Sequence, residues 1–402
     1  MNMKKLAIVG AGLRCYETYA VTIAKEYADT YKIVGACDVN IGRAEYFRDT
    51  IDKNIGVYTD FDLMMKETKP DVVLVTTPDC FHHQYIVAAL DHGCDVYCEK
   101  PITIDVEKCR AIREAERRSG KRVTVTFNCR FMPYFIKLKQ IISSGTLGKI
   151  YAVNYEHVLK PDHGGDYFKR WHRLINVSGG MMLHKATHHF DIVNWVLDDS
   201  PKTVCANGAR LYFGNDDRPH GERCSECAYT ENCSSYRDLK GDPVINDMFF
   251  KNEKYDGYVR DHCCFKSDTD IYDNMSVSVA YEKGTLLTYS LNMFNVKEGF
   301  YIRIIGEKGR LELSNITKDN FIMYSDGVKH PFDYEECTGD HAGGDERIIE
   351  MLFGEKKRED PLGQCAGSFD GIKSAMIGIA ANESIKNCGK SINVKEILEE
   401  LK

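Results

Sequence analysis

The sequence predicts an α/β protein in which a doubly wound parallel sheet is followed by an α+β domain with a large, mostly antiparallel open sheet. Up to about residue 128, short apolar strands alternate with helical stretches in the rhythm of βαβ units. From about Lys149 the chain changes to long strands separated by hairpin glycines such as Gly284 and Gly309. We therefore divide the chain into domains 1–128 and 129–402, with an insertion at about 214–262 and a C-terminal helix at about 367–388.

The first strand and turn predict a dinucleotide-binding unit of the Rossmann type. In KKLAIVGAGLRC, Gly10 and Gly12 follow an apolar strand, and Cys15 replaces the third glycine of the G-x-G-x-x-G fingerprint. Gly10 allows the tight turn, and Gly12 lets backbone N–H groups approach a pyrophosphate. The second strand ends at Asp38, which either caps its strand or binds the adenosine ribose and repels a 2′-phosphate. The sequence thus predicts NAD rather than NADP.

Later strand ends supply further candidate cofactor ligands. Stretches 71–83, 93–101 and 122–131 are typical of strands, and in such sheets ligands bind at the carboxyl ends. His82 follows one of these ends, where it either contacts the cofactor or caps the next helix. The predicted cofactor-binding residues are Gly10, Gly12, Leu13, Asp38, Thr77, Pro78, His82, Glu99, Lys100 and Asn128.

The segment SGGMMLHKATHHFDIVNWVL, residues 178–197, predicts a buried helix that carries histidines. Apolar residues recur along one side at Leu183, Ala186, Phe190, Val193 and Leu197. His184 and His188 fall on the opposite side, and paired imidazoles in an interior are costly unless they are used. The spacing also fits a zinc-binding pair, although no glutamate follows His184 as in H-E-x-x-H. We expect His189 to be a core residue with a satisfied ring.

The motifs GAGLRC, TTPDCFHH, CEKP and GGMMLHKATHHFD occur in this order, and over nearly the whole chain they resemble the Gfo/Idh/MocA family. In that family E-K-P supplies a lysine, and G-G-x-x-x-D-x-x-x-H supplies an acid and a histidine around a sugar or polyol hydroxyl. The resemblance implies that the lysine is Lys100, joined to Pro101 by a cis bond, and that the histidine is His188. The acid position holds His184, which departs from the pattern.

The resemblance implies an NAD-dependent enzyme that reversibly oxidises a ring hydroxyl of a sugar or glycoside to a keto-sugar. His188 is expected to be the general base and Lys100 to stabilise the developing alkoxide. His184 orients His188 or binds a neighbouring hydroxyl. Two alternatives remain: a glycosidase that uses bound NAD for oxidation, elimination, hydration and reduction, and a non-catalytic NAD or sugar sensor.

Polar and aromatic residues before the histidine segment predict a carbohydrate pocket. We interpret HVLKPDHGGDYFKRWHRL, which precedes it, as a loop. Trp171 is available to stack on a sugar ring, and Arg170, His172 and Arg173 to bond hydroxyls or an acidic group. The predicted substrate residues are Lys100, Trp171, Arg173, His184, Lys185 and His188. Near the C-terminus, His341 and Asp345 flank a glycine loop, where Asp345 alternatively caps a helix.

Three of the 16 cysteines lie close together in the predicted insertion, as Cys224, Cys227 and Cys233. Such spacing predicts a metal site, with Cys263 as the fourth ligand and Cys264 or His220 as alternatives. We expect structural zinc, with an iron–sulfur cluster as the second choice.

The bulk composition excludes several classes of partner. The 402 residues carry a formal net charge of −7 and no basic run, which argues against nucleic acid. No stretch is apolar enough to predict a membrane span or an export signal. We therefore expect a cytoplasmic protein with reduced thiols and a small carbohydrate substrate. The family resemblance also implies that the protein forms a homo-oligomer through the open face of the second sheet.

Overall fold

The computed structural model describes residues 3–336, 340–355 and 359–402. The strands are β1 (Lys4–Val9), β2 (Tyr31–Cys37), β3 (Gly56–Tyr58), β4 (Val72–Val75), β5 (Asp95–Cys98), β6 (Val123–Val125), β7 (Ile150–Val158), β8 (Pro201–Ala209), β9 (Asn274–Tyr281), β10 (Leu286–Asn292), β11 (Gly299–Gly306), β12 (Gly309–Ser314), β13 (Phe321–Tyr324), β14 (Lys329–Pro331), β15 (Ala366–Gly367) and β16 (Ile392–Asn393).

The helices are α1 (Val21–Glu26), α2 (Ile41–Thr50), α3 (Phe61–Thr68), α4 (His82–Asp91), α5 (Val106–Ser119), α6 (Pro133–Ser143), α7 (Pro161–Lys169), α8 (Ile175–Ser178), α9 (Met181–His184), α10 (Thr187–Leu197), α11 (Pro243–Met248), α12 (Glu253–Asp256), α13 (Gly344–Phe353), α14 (Ser368–Lys386) and α15 (Lys395–Leu401). A π-helical segment, Cys15–Ala20, leads into α1.

The first sheet confirms the predicted doubly wound fold. Its order is β15-β6-β5-β4-β1-β2-β3, and every pair is parallel except β15 on β6. All four residues of β4, VVLV, are buried, because helices cover both faces of such a sheet. The edge strand β15 was not predicted, since it returns from near the end of the chain.

The second sheet confirms the predicted large and mostly antiparallel architecture. Its order is β14-β13-β12-β11-β7-β10-β9-β8-β16, and only the β7–β10 pair is parallel. Helix α14 packs on β8, and α10 packs between α14 and α6. On the other face Tyr151, Leu286 and Tyr301 are exposed. We keep homo-oligomerisation through this face as a prediction.

The prediction of one helix over 178–197 is wrong. Gly179 and Gly180 have φ of +70° and +73° and separate α8 from α9, since such angles suit glycine. A second interruption lies at residues 185–186, so His184 and His188 belong to different helices. His189 is a core residue as predicted, because its Nδ1 lies 2.7 Å from the Tyr289 hydroxyl.

The segment before the histidines is also more regular than predicted. Where we expected a loop, residues Pro161–Lys169 form α7. Pro161 occupies the first turn of this helix, where its missing N–H costs nothing. The helix brings Asp166, Tyr167 and Arg170 to one side of the histidine segment. Among the described residues, no helix is long and apolar enough to cross a membrane.

A buried ion pair connects the end of the first sheet to the histidine segment. Arg130 follows β6 and donates two hydrogen bonds of 2.7 Å to the carboxylate of Asp191 in α10. The two side chains are 3% and 0% exposed. Removing one partner of such a pair leaves a buried charge without compensation.

We predict that Asp191→Ala destabilises the protein by about 3–5 kcal/mol, because it removes the bidentate partner of the buried Arg130 guanidinium and leaves only the longer, 3.8 Å contact with Asp370. Urea denaturation followed by fluorescence measures the change. Asp91→Ala is the matched control, since it breaks a surface pair with Arg118 and should cost less than about 1 kcal/mol. Equal losses in both variants would show that the Arg130–Asp191 pair is not important for stability.

Candidate functional site

The glycine turn after β1 leaves an exposed stretch of backbone at the end of the first sheet. Gly10 has φ of +90°, and a Cβ there would lie 2.5 Å from the backbone N of Thr77. The turn is therefore pressed against the end of β4. At Gly12 a Cβ would meet no heavy atom within 4 Å. The open N–H groups at this position fit the pyrophosphate of a dinucleotide.

Asp38 holds the turn to the end of β2. Its carboxylate accepts the backbone N–H groups of Ala11 and Asn40, each at 2.8 Å. Arg43 donates to the same carboxylate at 2.8 Å and to Asp256 at 2.6 Å. Two carboxylates thus neutralise the one arginine beside the predicted ribose position, and the local charge stays negative.

Behind the turn, a network of charged side chains joins residues that lie far apart in the sequence. Arg14 donates to Glu99 at 3.1 Å and forms a bidentate pair with Asp345 at 2.7 and 2.9 Å. Asn128 also donates to Asp345, and Nδ1 of His341 lies 2.8 Å from it. Asp345 therefore serves this network rather than capping α13, whose N-cap is Gly343 without a side-chain hydrogen bond. Sequence reasoning did not include Arg14 because its main partner is 331 residues away.

Glu99 is the carboxylate at the centre of this network. The Tyr19 hydroxyl donates to it at 2.8 Å, and the backbone N–H of Lys100 donates at 3.2 Å. Burial favours the neutral form, yet the Arg14 and Lys100 cations outweigh it and hold the pKa of Glu99 below its ordinary value. Glu99 is thus an anion placed directly beside the catalytic lysine candidate.

Lys100 lies at the carboxyl end of β5 and reaches the histidine segment. The Lys100–Pro101 peptide bond is cis, as the family resemblance implied. Its Nζ donates to the backbone carbonyl of His184 at 3.1 Å. Burial lowers the pKa of Lys100, and the Glu99 and Asp79 carboxylates oppose that change.

His184 is paired with a carboxylate that sequence reasoning missed. Its Nδ1 lies 2.6 Å from Oδ2 of Asp79, and both side chains are buried. Burial raises the pKa of Asp79 and lowers the pKa of His184, which the Lys100 cation lowers further. In the tautomer with its proton on Nδ1, the neutral imidazole donates to the carboxylate, and both atoms are satisfied. The sequence does contain this aspartate, in the motif TTPDCFHH. Because it lies 105 residues from His184, the sequence alone did not indicate that the two side chains are partners.

His188 faces the same lysine from the first turn of α10. Its ring is buried, 8% exposed, and meets the edge of Phe127 with centroids 6.1 Å apart. Its Nδ1 has no hydrogen-bond partner in the part of the chain described. Burial first, then the Lys100 and Lys185 cations, lower the pKa of His188 well below its ordinary value. The imidazole is therefore neutral and able to accept a proton.

Aromatic rings form one wall beside this group. Trp171 stacks on His172 with centroids 3.7 Å apart, and His172 meets His184 edge-on at 4.2 Å. Trp171 therefore has one face already covered. The guanidinium of Arg173 bonds to the backbone carbonyl of Asp268, and the structure does not bring it to the histidines. Its predicted substrate contact has no support in this geometry.

His82 connects two loops at the ends of the strands. Its Nε2 lies 2.8 Å from the Thr77 carbonyl and its Nδ1 2.8 Å from the Pro101 carbonyl. The ring is 1% exposed. These contacts support the segments that carry Thr77 and Lys100, and a direct contact of His82 with a cofactor stays a prediction. The amide oxygen of Asn128 is buried without a partner among the described residues.

The predicted metal ligands come together, but not as a metal site. Cys224, Cys227, Cys233 and Cys263 all line one cavity of about 20 Å³. Over residues 3–336, 340–355 and 359–402, no group of three or more histidine, cysteine, aspartate or glutamate side chains is arranged to hold a metal ion. Burial raises the pKa of Cys224 and of Cys263, which favours neutral thiols. The structure therefore does not support the zinc or iron–sulfur prediction.

The cysteines of the described residues are free thiols. The alternative ligand His220 is engaged with Asp216 at 2.8 Å. The antiparallel bridge between Arg223 and His262 holds Cys224 beside Cys263. Backbone pairing and thiol packing, rather than a metal, thus account for the order of this segment in the structure.

Residues 4–127 match the family model of the Gfo/Idh/MocA oxidoreductases with an NAD-binding Rossmann fold, and residues 139–391 match the model of the C-terminal α/β domain of that family. The chain belongs to this family. It is 31% identical to the oxidoreductase YteT of Bacillus subtilis (strain 168), with 99% of each chain covered.

Two further relatives carry more specific names. The D-glucoside 3-dehydrogenase of Escherichia coli (strain K12) is 28% identical over 48% of this chain and 54% of its own length. The crystal structure of scyllo-inositol dehydrogenase from Lactobacillus casei, with bound NAD(H) and scyllo-inositol, superposes with a TM-score of 0.66 at 18% identity, over 98% of this chain and all of that one. At that identity the similarity shows the fold.

We predict that the Asp79–His184 pair gives an imidazole N–H proton resonance downfield of the others, because the contact is short, buried and shielded from exchange. Asp79→Asn should remove this signal and leave the far-ultraviolet circular dichroism unchanged. Asp62→Asn is the control, because Asp62 meets the ring of His92 on the surface at 3.3 Å. A downfield signal that survives Asp79→Asn would show that this pair does not share the proton.

Proposed function

We propose that the protein is an NAD-dependent dehydrogenase that oxidises a ring hydroxyl of a sugar or glycoside to a carbonyl. One observation carries the proposal: the Lys100 ammonium is anchored on the His184 carbonyl, from where it lowers the pKa of the buried His188 imidazole. The names of the relatives, a D-glucoside dehydrogenase and an inositol dehydrogenase, support a polyhydroxylated ring as the substrate.

The residues around the turn fit the dinucleotide. The backbone at Gly12 would hold the pyrophosphate and Asp38 the adenosine ribose, while Thr77, Pro78 and Asn128 line the path toward Lys100. NAD, when bound, supplies the acceptor for the hydride that leaves the substrate carbon. Leu13, Glu99 and His82 complete the set of residues that we assign to this part of the site.

His188 is the general base in this proposal. As the C–H bond of the substrate gives up its hydride, the O–H proton passes to the imidazole, and the C–O bond becomes a carbonyl. A histidine with a pKa below its ordinary value is in the accepting form at neutral pH. In the reverse reaction the same imidazole, now protonated, returns the proton to the carbonyl oxygen.

Lys100 stabilises the oxygen on which negative charge develops. The ammonium is anchored by the His184 carbonyl, and the Glu99 and Asp79 carboxylates oppose the lowering of its pKa by burial. A cation fixed before the reaction needs no rearrangement in the transition state. Lys185 and Trp171 border the same space and are assigned to the substrate.

Asp79 accounts for the unusual histidine at position 184. The family pattern has an acid there, and in this chain a carboxylate approaches the same place from the end of β4 through its contact with His184. The pair keeps a proton-exchanging group beside Lys100. We assign His184 to binding a hydroxyl next to the one oxidised.

We predict that Lys100→Met and His188→Ala each lower kcat by about 100-fold or more, the range typical of acid–base groups, while NAD binding changes little. The measurement is NADH absorbance and product mass over a panel of glycosides, with NAD affinity from calorimetry. Lys108→Met is the matched control, because this lysine pairs with Asp105 at the start of α5 and has no assigned role in the site. Activity near that of the wild type in either catalytic variant would refute the mechanism.

The product masses also separate the alternatives. A net keto-sugar with stoichiometric NADH supports the dehydrogenase, and cleaved glycoside without net NADH would show the glycosidase. Binding of NAD and sugar without any product would indicate a sensor. Lys100 and His188 are both present, and the Lys100 cation acts on the His188 imidazole, which favours a catalytic protein over a sensor.

For the cofactor, we predict that the protein binds NAD at least about tenfold more tightly than NADP, because a 2′-phosphate would lie beside Asp38 and Asp256. Asp38→Asn should weaken NAD binding and narrow this difference, since it removes a carboxylate and releases Arg43. Asp60→Asn, at the exposed start of α3, is the control. Equal affinities for both cofactors in a calorimetric titration of the wild type would contradict the assignment.

A further inference from the structure

A group of cations lies next to the aromatic wall, because Arg170 directly precedes Trp171, and Asp166 is the carboxylate that these cations share. Asp166 in α7 faces Lys169, Arg170, Arg237 and Arg260, which together hold its pKa at about 2 although burial opposes this. Lys169 and Arg260 are buried, and Lys169 bonds to the carbonyl of Ser235. Four cations thus surround one carboxylate.

Arg260 is a buried member of this group with a long contact to its acid. Its side chain is 7% exposed, and its contact with Asp166 is long, at 3.5 Å. Asp166 is shared with Arg170, whose contact is shorter, at 2.5 Å. A guanidinium has five N–H donors, and among the described residues the structure gives Arg260 this single hydrogen bond. Burial and the neighbouring Arg170 cation lower the pKa of Arg260, the sign of an under-compensated charge.

The cations are close enough to the pocket to act on its contents. Arg170 and Arg260 both lower the pKa of His172, and Arg170 also lowers that of His184. The His172 ring lies 4.2 Å from the His184 ring and stacks under Trp171. Its Nδ1 is buried without a partner in the described residues. Arg170 directly precedes Trp171 in the chain, and Asp166 joins Arg170 to Arg260, so a ligand next to Trp171 would lie beside this group of cations.

We infer that the substrate carries a carboxylate, as in a uronic acid or its glycoside, and that Arg260 with Arg170 binds it. This inference rests on the proposed function for the reaction, but it concerns a different part of the pocket. A carboxylate accepts two parallel N–H bonds from a guanidinium, which neutral sugar hydroxyls do not match. It would supply the negative charge that the protein itself does not provide.

The test compares methyl β-D-glucuronide with methyl β-D-glucoside, and the same pair in the galacto series. kcat/KM with NAD and calorimetric affinity for the NADH-bound protein are both measured. We expect the uronide to be preferred by about tenfold or more in at least one series, the worth of one charged hydrogen-bonded contact. Arg260→Gln should lower kcat/KM for the uronide by about 10- to 100-fold and leave the neutral glycoside within about threefold.

Two further variants keep the test decisive. Arg170→Gln, at a side chain that is 23% exposed, should act in the same direction and serves if Arg260→Gln does not fold. Arg260→Lys should restore part of the uronide preference. Arg218→Gln is the control, because Arg218 is half-buried and paired with Asp217, and it should change kcat/KM for neither substrate.

The outcomes separate this inference from the proposed function. If neutral glycosides are oxidised as well as the uronides, the substrate is not selected by its carboxylate. The same follows if neither arginine variant changes the uronide preference. Both results would refute this inference and would leave the proposed dehydrogenase activity intact. No oxidation of any compound, with tighter uronide binding that depends on Arg260, would support the anion site and refute the proposed reaction.

Discussion

The position of the Lys100 ammonium is the constraint on which the rest of the site depends. A cation withdrawn from water is unstable unless carboxylates lie beside it, and Glu99 and Asp79 provide them. Each carboxylate then needs its own partners. Arg14 and Tyr19 hold Glu99, and His184 holds Asp79. The charged residues at the strand ends are therefore one connected system.

The same system explains how a departure from the family pattern is accommodated. A histidine at position 184 would leave Lys100 with one carboxylate fewer on that side. Asp79, which follows β4, supplies a carboxylate in its place. A short contact joins the Asp79 carboxylate to the His184 ring. Acid and imidazole thus both remain beside Lys100, although they come from different segments than the pattern predicts.

The features that sequence predicted correctly are local in the chain. The glycine turn and the alternation of strands and helices each depend on residues within about 30 positions, so the parallel sheet and its dinucleotide turn could be predicted. Asp345 and Arg14, 331 residues apart, could not be paired in this way. The helix over 178–197 was predicted from periodicity, which does not show that two glycines with positive φ precede its first turn or that it breaks at residues 185–186. The cysteine spacing correctly placed four thiols around one cavity, but spacing does not determine whether they are arranged as ligands.

The pocket contains two kinds of cation, and their difference has a chemical meaning. Lys100 must remain charged whatever is bound, because it acts on the reacting oxygen, and the protein supplies its counter-charges. Arg260 has only a shared and distant carboxylate. A buried arginine that is left so poorly paired costs free energy in the empty protein, and a ligand carboxylate would remove that cost on binding. The charge of Lys100, which serves the reaction, is therefore balanced by carboxylates of the protein. The charge of Arg260, which we assign to substrate selection, is balanced only in part.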